Sequence, residues 1–106
     1  MNTSLVPESL LTEIVSYLDP TRVILFGSHA RGDADAGSDL DLLVLLDDLA
    51  PAGRVSWRAA NHARRNYRGP VDIVLCRERD FELDRGVVGS FAHEIAEDGV
   101  TVYERH

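Results

Sequence analysis

Asp39 and Asp41 stand at the head of the apolar run "LLVLL", and Asp72 stands just ahead of a second one, "IVL". A carboxylate is costly to bury, so a charge at the mouth of an apolar strand is either a solvated loop end or a group with a countercharge. Residues i and i+2 of a strand point to one face, with Cα atoms about 6.5–7 Å apart. Asp39 and Asp41 therefore aim together, and Leu40 and Leu42 aim elsewhere. Two like charges held this close repel unless a cation lies between them. Hard oxygen ligands completed by phosphate and water are the usual setting for Mg²⁺. Asp72 joins the pair if the two strands are neighbours. A lone D-x-D beside a strand is commonplace, so the residues upstream must decide.

Upstream, Gly27-Ser28 follows the apolar run "VILF" and opens the short stretch "SHARG". Backbone N–H groups and a hydroxyl at a positive helix terminus make an anion site, with phosphate as the obvious occupant. Gly27 lets the backbone approach closely, and Arg31 lies one turn on, within reach of the same phosphates or of a carboxylate. Phosphate donors beside metal carboxylates make a site for a nucleoside triphosphate with Mg²⁺. A calcium loop in "DADAGSDLD" fails on spacing: counted from Asp33, glycine falls at position 5 and Val44 at position 12, where an EF-hand needs glycine at 6 and glutamate at 12. Asp33 and Asp35 read as solvated turn residues.

"GSHARGDADAGSDLDLLV" resembles the Gly-Ser plus D-x-D signature of the DNA polymerase β-like nucleotidyltransferase superfamily. More narrowly it resembles the minimal nucleotidyltransferases, G-S-x-A-R-G-x5-S-D-x-D-L, with every specified position matched. The resemblance implies that Gly27 and Ser28 hold the triphosphate and that Asp39, Asp41 and Asp72 ligate two Mg²⁺. It implies that Asp72 also helps deprotonate the attacking hydroxyl. ATP is the expected substrate and pyrophosphate the expected product. It further implies an antitoxin that pairs with a HEPN-type toxin and transfers AMP to a hydroxyl on it. Two alternatives stay open: a catalytically silent antitoxin acting by occlusion, and a small-molecule adenylyltransferase.

The elements that must position these residues follow from periodicity. "PESLLTEIVSYLD" has apolar residues at helical spacing after Pro7. "TRVILF", "DLDLLVLL", "VDIVLC" and "VTVYE" read as strands, and "SHAR" as a short helix closed by Gly32. Residues 52–68 favour a helix ending at Gly69-Pro70, and a further helix is expected from about Val87 to Glu97, capped by Gly99. The order α-β-α-β-α-β-α-β gives an α/β (α+β) domain, a mixed sheet of about four strands flanked by helices.

Arg54, Arg58, Arg64, Arg65 and Arg68 would share the 52–68 helix, as a docking face for an acidic partner or acceptor, or as an ordinary solvated face. Trp57 and Tyr67 read as packing residues, His29 as a bystander within the motif, and Cys76 as buried and inert. His62 and His93 lack metal-ligand spacing, and Tyr103, Glu104 and Arg105 read as a partner contact or a tail.

The 106 residues are expected to form one domain spanning 1–106. A net charge of −7 argues against broad nucleic-acid binding, which relies on basic surface. All 11 basic residues are arginine, so no lysine is available for Schiff-base or Walker-type chemistry. The absence of a long apolar span or signal-peptide pattern and the single cysteine lead to the expectation of a cytoplasmic protein without membrane association.

Overall fold

The computed structural model describes residues 5–35 and 37–105. The chain runs α1 (Glu8–Leu18), β1 (Arg22–Phe26), α2 (Ser28–Arg31), β2 (Leu40–Leu46), a 3₁₀ turn (Ala52–Arg54), α3 (Trp57–Ala63), β3 (Val71–Arg77), α4 (Glu78–Asp84), α5 (Phe91–Asp98) and β4 (Val100–Glu104). The sheet order is β3-β2-β1-β4. β2 and β3 are parallel, and β1 is antiparallel to both β2 and β4, so the sheet is mixed as expected.

Strand alternation divides the core between two faces. Val23, Leu25, Leu42, Val44 and Leu46 meet Leu10, Leu11, Ile14 and Leu18 of α1 and Ala59 and Ala63 of α3. Ile24, Leu43 and Leu45 turn the other way, toward Phe81 of α4 and Ile95 of α5. Each fully buried Leu or Ile contributes roughly 1.5–3 kcal/mol. The first face is thickly covered; the second has a smaller cluster of buried residues.

Two helices depart from expectation. The 52–68 helix is replaced by the 3₁₀ turn and the shorter α3, which starts where the Ser56 hydroxyl accepts from the Ala59 amide at 3.1 Å. It stops at Arg64, whose guanidinium donates to the carbonyls of Tyr67, Gly69 and Val71 at 3.1 Å each. The five arginines therefore share no helix face. Helix α5 begins at Phe91 rather than near Val87, capped by Ser90, whose hydroxyl accepts from the His93 amide at 3.0 Å. Helix α4 is additional, because "ERDFELD" offers one buried apolar residue, Phe81, and no helical stripe. Tertiary contacts hold it. Arg22 grips Glu78 through two hydrogen bonds of 2.9 and 2.8 Å and reaches Glu82 at 3.1 Å.

Several single residues also differ. Trp57 is 82% exposed and packs in no core, whereas Tyr67 lies against the α1–α3 cluster. Cys76 is half-buried; burial pushes its thiol up, keeping it protonated and a weak nucleophile. Arg105 is no loose tail: its amide donates to the Thr21 carbonyl, and its guanidinium pairs with Asp19 and Asp47.

Candidate functional site

The site lies where β1 ends and β2 and β3 begin. Asp41 and Asp72 are direct register partners in the parallel ladder, and the Leu40 amide donates to the Pro70 carbonyl at 3.1 Å to tie the two strand starts together. By strand alternation both carboxylates fall on the α4–α5 side, in line with Leu43 and Val74. Asp39 precedes β2 at an exposed position, two residues from Asp41. Asp41 and Asp72 thus lie side by side where β2 and β3 begin, and Asp39 just before them is close enough for its charge to act on Asp41.

β1 delivers the loop beside them. Phe26 is the antiparallel partner of Asp41, which sets Gly27 against the Asp41 side chain. Gly27 has φ 76° and ψ −155°, a region open essentially to glycine, and a Cβ there would overlap the Asp41 carboxylate. Its carbonyl accepts from the amides of Ala30 and Arg31 at 3.1 Å each, turning the chain into α2. Gly32, with φ 82°, closes that turn and donates to the Ser28 carbonyl at 3.0 Å. Arg31 is half-exposed and pairs with Asp33 at 3.4 Å. It also lines a cleft of about 230 Å³ with Phe26, Gly27, Phe91, Glu94 and Asp98.

His29 is more than a bystander. Its Nε2 donates to the Ser38 carbonyl at 3.2 Å, bracing α2 against the residue just before Asp39. No local sequence pattern marks this bond, because the two residues stand nine apart in the chain.

The electrostatics converge on Asp41. Burial pushes its carboxyl above the ordinary range, and the charges of Asp72 and Asp39 push the same way, with His29 and Arg31 opposing. This is a cluster short of positive charge. Its donors are all carboxylate oxygens, which suits a hard divalent cation. Among the described residues no three His, Cys, Asp or Glu side chains form a ready-made ion cage, so such a cation needs oxygens from a substrate and water to complete its shell. Chemically, the arrangement can place an anionic phosphate chain at Gly27-Ser28 and its charge-neutralising metal at the aspartates.

Comparison with known proteins bears on the family and the fold. Residues 8–85, from α1 through α4 and including all six site residues named from sequence, match the nucleotidyltransferase domain family. A relative from Methanocaldococcus jannaschii, described as a candidate protein adenylyltransferase, is 61% identical over 81 residues, 76% of this chain and 77% of its own. Among solved structures, a toxin–antitoxin with AMP-PNP superposes with a TM-score of 0.62 at 20% identity, covering 95% of this chain and 76% of the other. A candidate nucleotidyltransferase from Sulfolobus solfataricus gives 0.56 at 25% identity, covering 92% and 79%. A mutant of the toxin–antitoxin MntA-HpeT gives 0.60 at 17% identity, covering 92% and 73%.

Proposed function

This chain belongs to the nucleotidyltransferase domain family, and on that premise we propose that it transfers AMP from ATP to a hydroxyl of a partner protein. The observation that carries the reading is the pairing of Asp41 with Asp72 where β2 and β3 begin, within reach of Asp39's charge and against the glycine of the Gly27-Ser28 turn. The whole of residues 1–106 acts as one catalytic domain. Gly27, Ser28 and Arg31 hold the β- and γ-phosphates. Asp39, Asp41 and Asp72 hold two Mg²⁺ ions, which when bound offset the charge on the attacking and leaving oxygens. Asp72 accepts the acceptor hydroxyl's proton. That oxygen bonds to the α-phosphorus, the α–β anhydride bond breaks, and pyrophosphate leaves.

The acceptor is a toxin, of the HEPN type by the motif's resemblance, and this chain is its antitoxin, acting in the cytoplasm. The M. jannaschii relative supports a protein acceptor, and the structural neighbours that are toxin–antitoxins support the toxin context. The neighbour solved with AMP-PNP supports an adenine nucleotide.

The experiment is incubation with α-labelled ATP, Mg²⁺ and the product of the adjoining reading frame. An Asp39→Ala/Asp41→Ala protein is the control. Label on the partner, absent in the control, is expected. A partner bound and inhibited but never labelled would show instead an antitoxin acting by occlusion.

A further inference from the structure

Two residues beyond Asp41 and Asp72 on the same strands and the same face lie Leu43 and Val74, about 6.5–7 Å of strand away. Over them α4 and α5 leave a groove of about 190 Å³, walled by Leu43, Val74, Cys76, Phe81, Phe91 and Ile95. Near it, four large apolar side chains within nine residues stand in solvent: Leu83 is 67% exposed, Val87 56%, Val88 84% and Phe91 55%. Single exposed apolar residues are ordinary, but a cluster beside an open apolar groove marks a contact surface. The turn that presents the valines is held in shape. Val87 and Ser90 amides donate to the carbonyls of Asp84 and Val87 at 3.0 Å, and the Ser90 hydroxyl donates to Asp84 at 2.7 Å.

Charge says what would cover this surface. Residues 78–98 hold seven carboxylates (78, 80, 82, 84, 94, 97 and 98) against Arg79, Arg85 and Arg22, which reaches across from β1 to Glu78 and Glu82, a net −4 on this face. Asp80, Asp84 and Glu78 all add to burial in raising the Cys76 thiol on the groove wall, so their field reaches inside. A second copy of this chain would set like charge against like. A partner with an apolar ridge flanked by Arg or Lys matches both the groove and its surroundings.

We propose that the α4–α5 face is the docking surface for such a partner, an apolar ridge with basic flanks, and that docking there brings the acceptor to the catalytic edge. The inference rests on the transferase reading for the acceptor's role. Phe91 joins the two regions: it walls the groove, walls the cleft beside Gly27 and Arg31, and meets Phe26 edge-on with ring centres 5.3 Å apart.

The test is calorimetric binding of the full chain to the product of the adjoining reading frame, alongside the labelling assay. Leu83→Asp and Val88→Asp, both at exposed positions, should keep the wild-type circular dichroism and weaken binding by at least about tenfold each. Asp80→Asn/Asp84→Asn should reduce the salt dependence of association. The Asp39→Ala/Asp41→Ala protein should bind as wild type does. Labelling by Val88→Asp with an unchanged KM overturns the docking surface and leaves the transferase reading standing. Binding lost in Val88→Asp, with no label transferred by wild type, leaves the surface standing and overturns the transferase reading. A wild-type chain that does not bind this protein, or that dimerises and becomes monomeric in Val88→Asp, overturns the proposal.

Discussion

Asp41 of β2 stands directly opposite Asp72 of β3, at the end of the ladder where both strands begin. Most of β2 beyond Asp41 is buried and apolar, so this ladder ends in repulsion where the rest of it is cohesive. The pair defines both the chemistry proposed here and its energetic cost.

Because burial and two neighbouring charges raise the Asp41 carboxyl, the folded state holds this proton more tightly than the unfolded chain does. The group therefore takes stability away as pH rises from the ordinary carboxylate value of 3.8 through its raised folded value. Asp41→Asn removes that loss. In chelator at neutral pH it should melt above wild type. Added Mg²⁺ should raise the wild-type Tm more than the variant's, and transfer should fall by roughly a hundred- to a thousandfold in the variant. Thermal melts across pH, with and without Mg²⁺, check the sign.

Gly27 and Gly32 both have positive φ, yet a Cβ at Gly32 meets nothing within 4 Å whereas one at Gly27 enters the Asp41 carboxylate. Gly32→Ala should cost about 1 kcal/mol, from backbone strain alone, and leave nucleotide binding near wild type. Gly27→Ala should cost about 2–3 kcal/mol and displace Asp41, so transfer should be lost even where the protein remains folded. Urea unfolding of the two variants, paired with ATP binding, separates strain from site damage.

Arg64 and Arg58 test whether the arginines of the 52–68 segment serve docking or architecture. Arg64 ties two carbonyls of the loop that leads into β3, those of Tyr67 and Gly69, and the carbonyl of Val71 at the start of β3, next to Asp72. Arg64→Ala should destabilise by about 1–3 kcal/mol, because partly buried carbonyls lose their donors. Arg58 is exposed, and Arg58→Ala should stay within about 0.5 kcal/mol. Chemical denaturation measures both. A destabilised Arg58→Ala would contradict this division.

The parts of the fold that were legible in the sequence are those whose signal is local. Apolar runs marked all four strands, and Gly27 and Gly32 bracketed α2, whereas Asp39, expected to share a strand face with Asp41, lies just before β2 begins. Pairing of Asp72 with Asp41 depended on β3 lying next to β2, which periodicity could not decide. Helix α4 escaped notice because one buried phenylalanine and a partnership with Arg22, 56 residues away in sequence, hold it together. The 52–68 helix failed because composition favours helix throughout, while Arg64 folds back onto carbonyls beyond it. The groove was invisible for the same reason: its walls come from β2, β3, α4 and α5.

The parallel pairing of β2 with β3 also shapes how the sheet comes apart. β3 is an edge strand, and the chain must pass through residues 47–70 before it can pair with β2. Its far end is fastened by Arg77, which donates to the carbonyls of Asp47 and Asp48, while its near end carries the opposed carboxylates. The ladder is therefore a zipper with its weak teeth at the catalytic end. Fraying starts there, and the amide proton of Asp72, bonded to β2 in this register, exchanges before those of Val74 and Cys76.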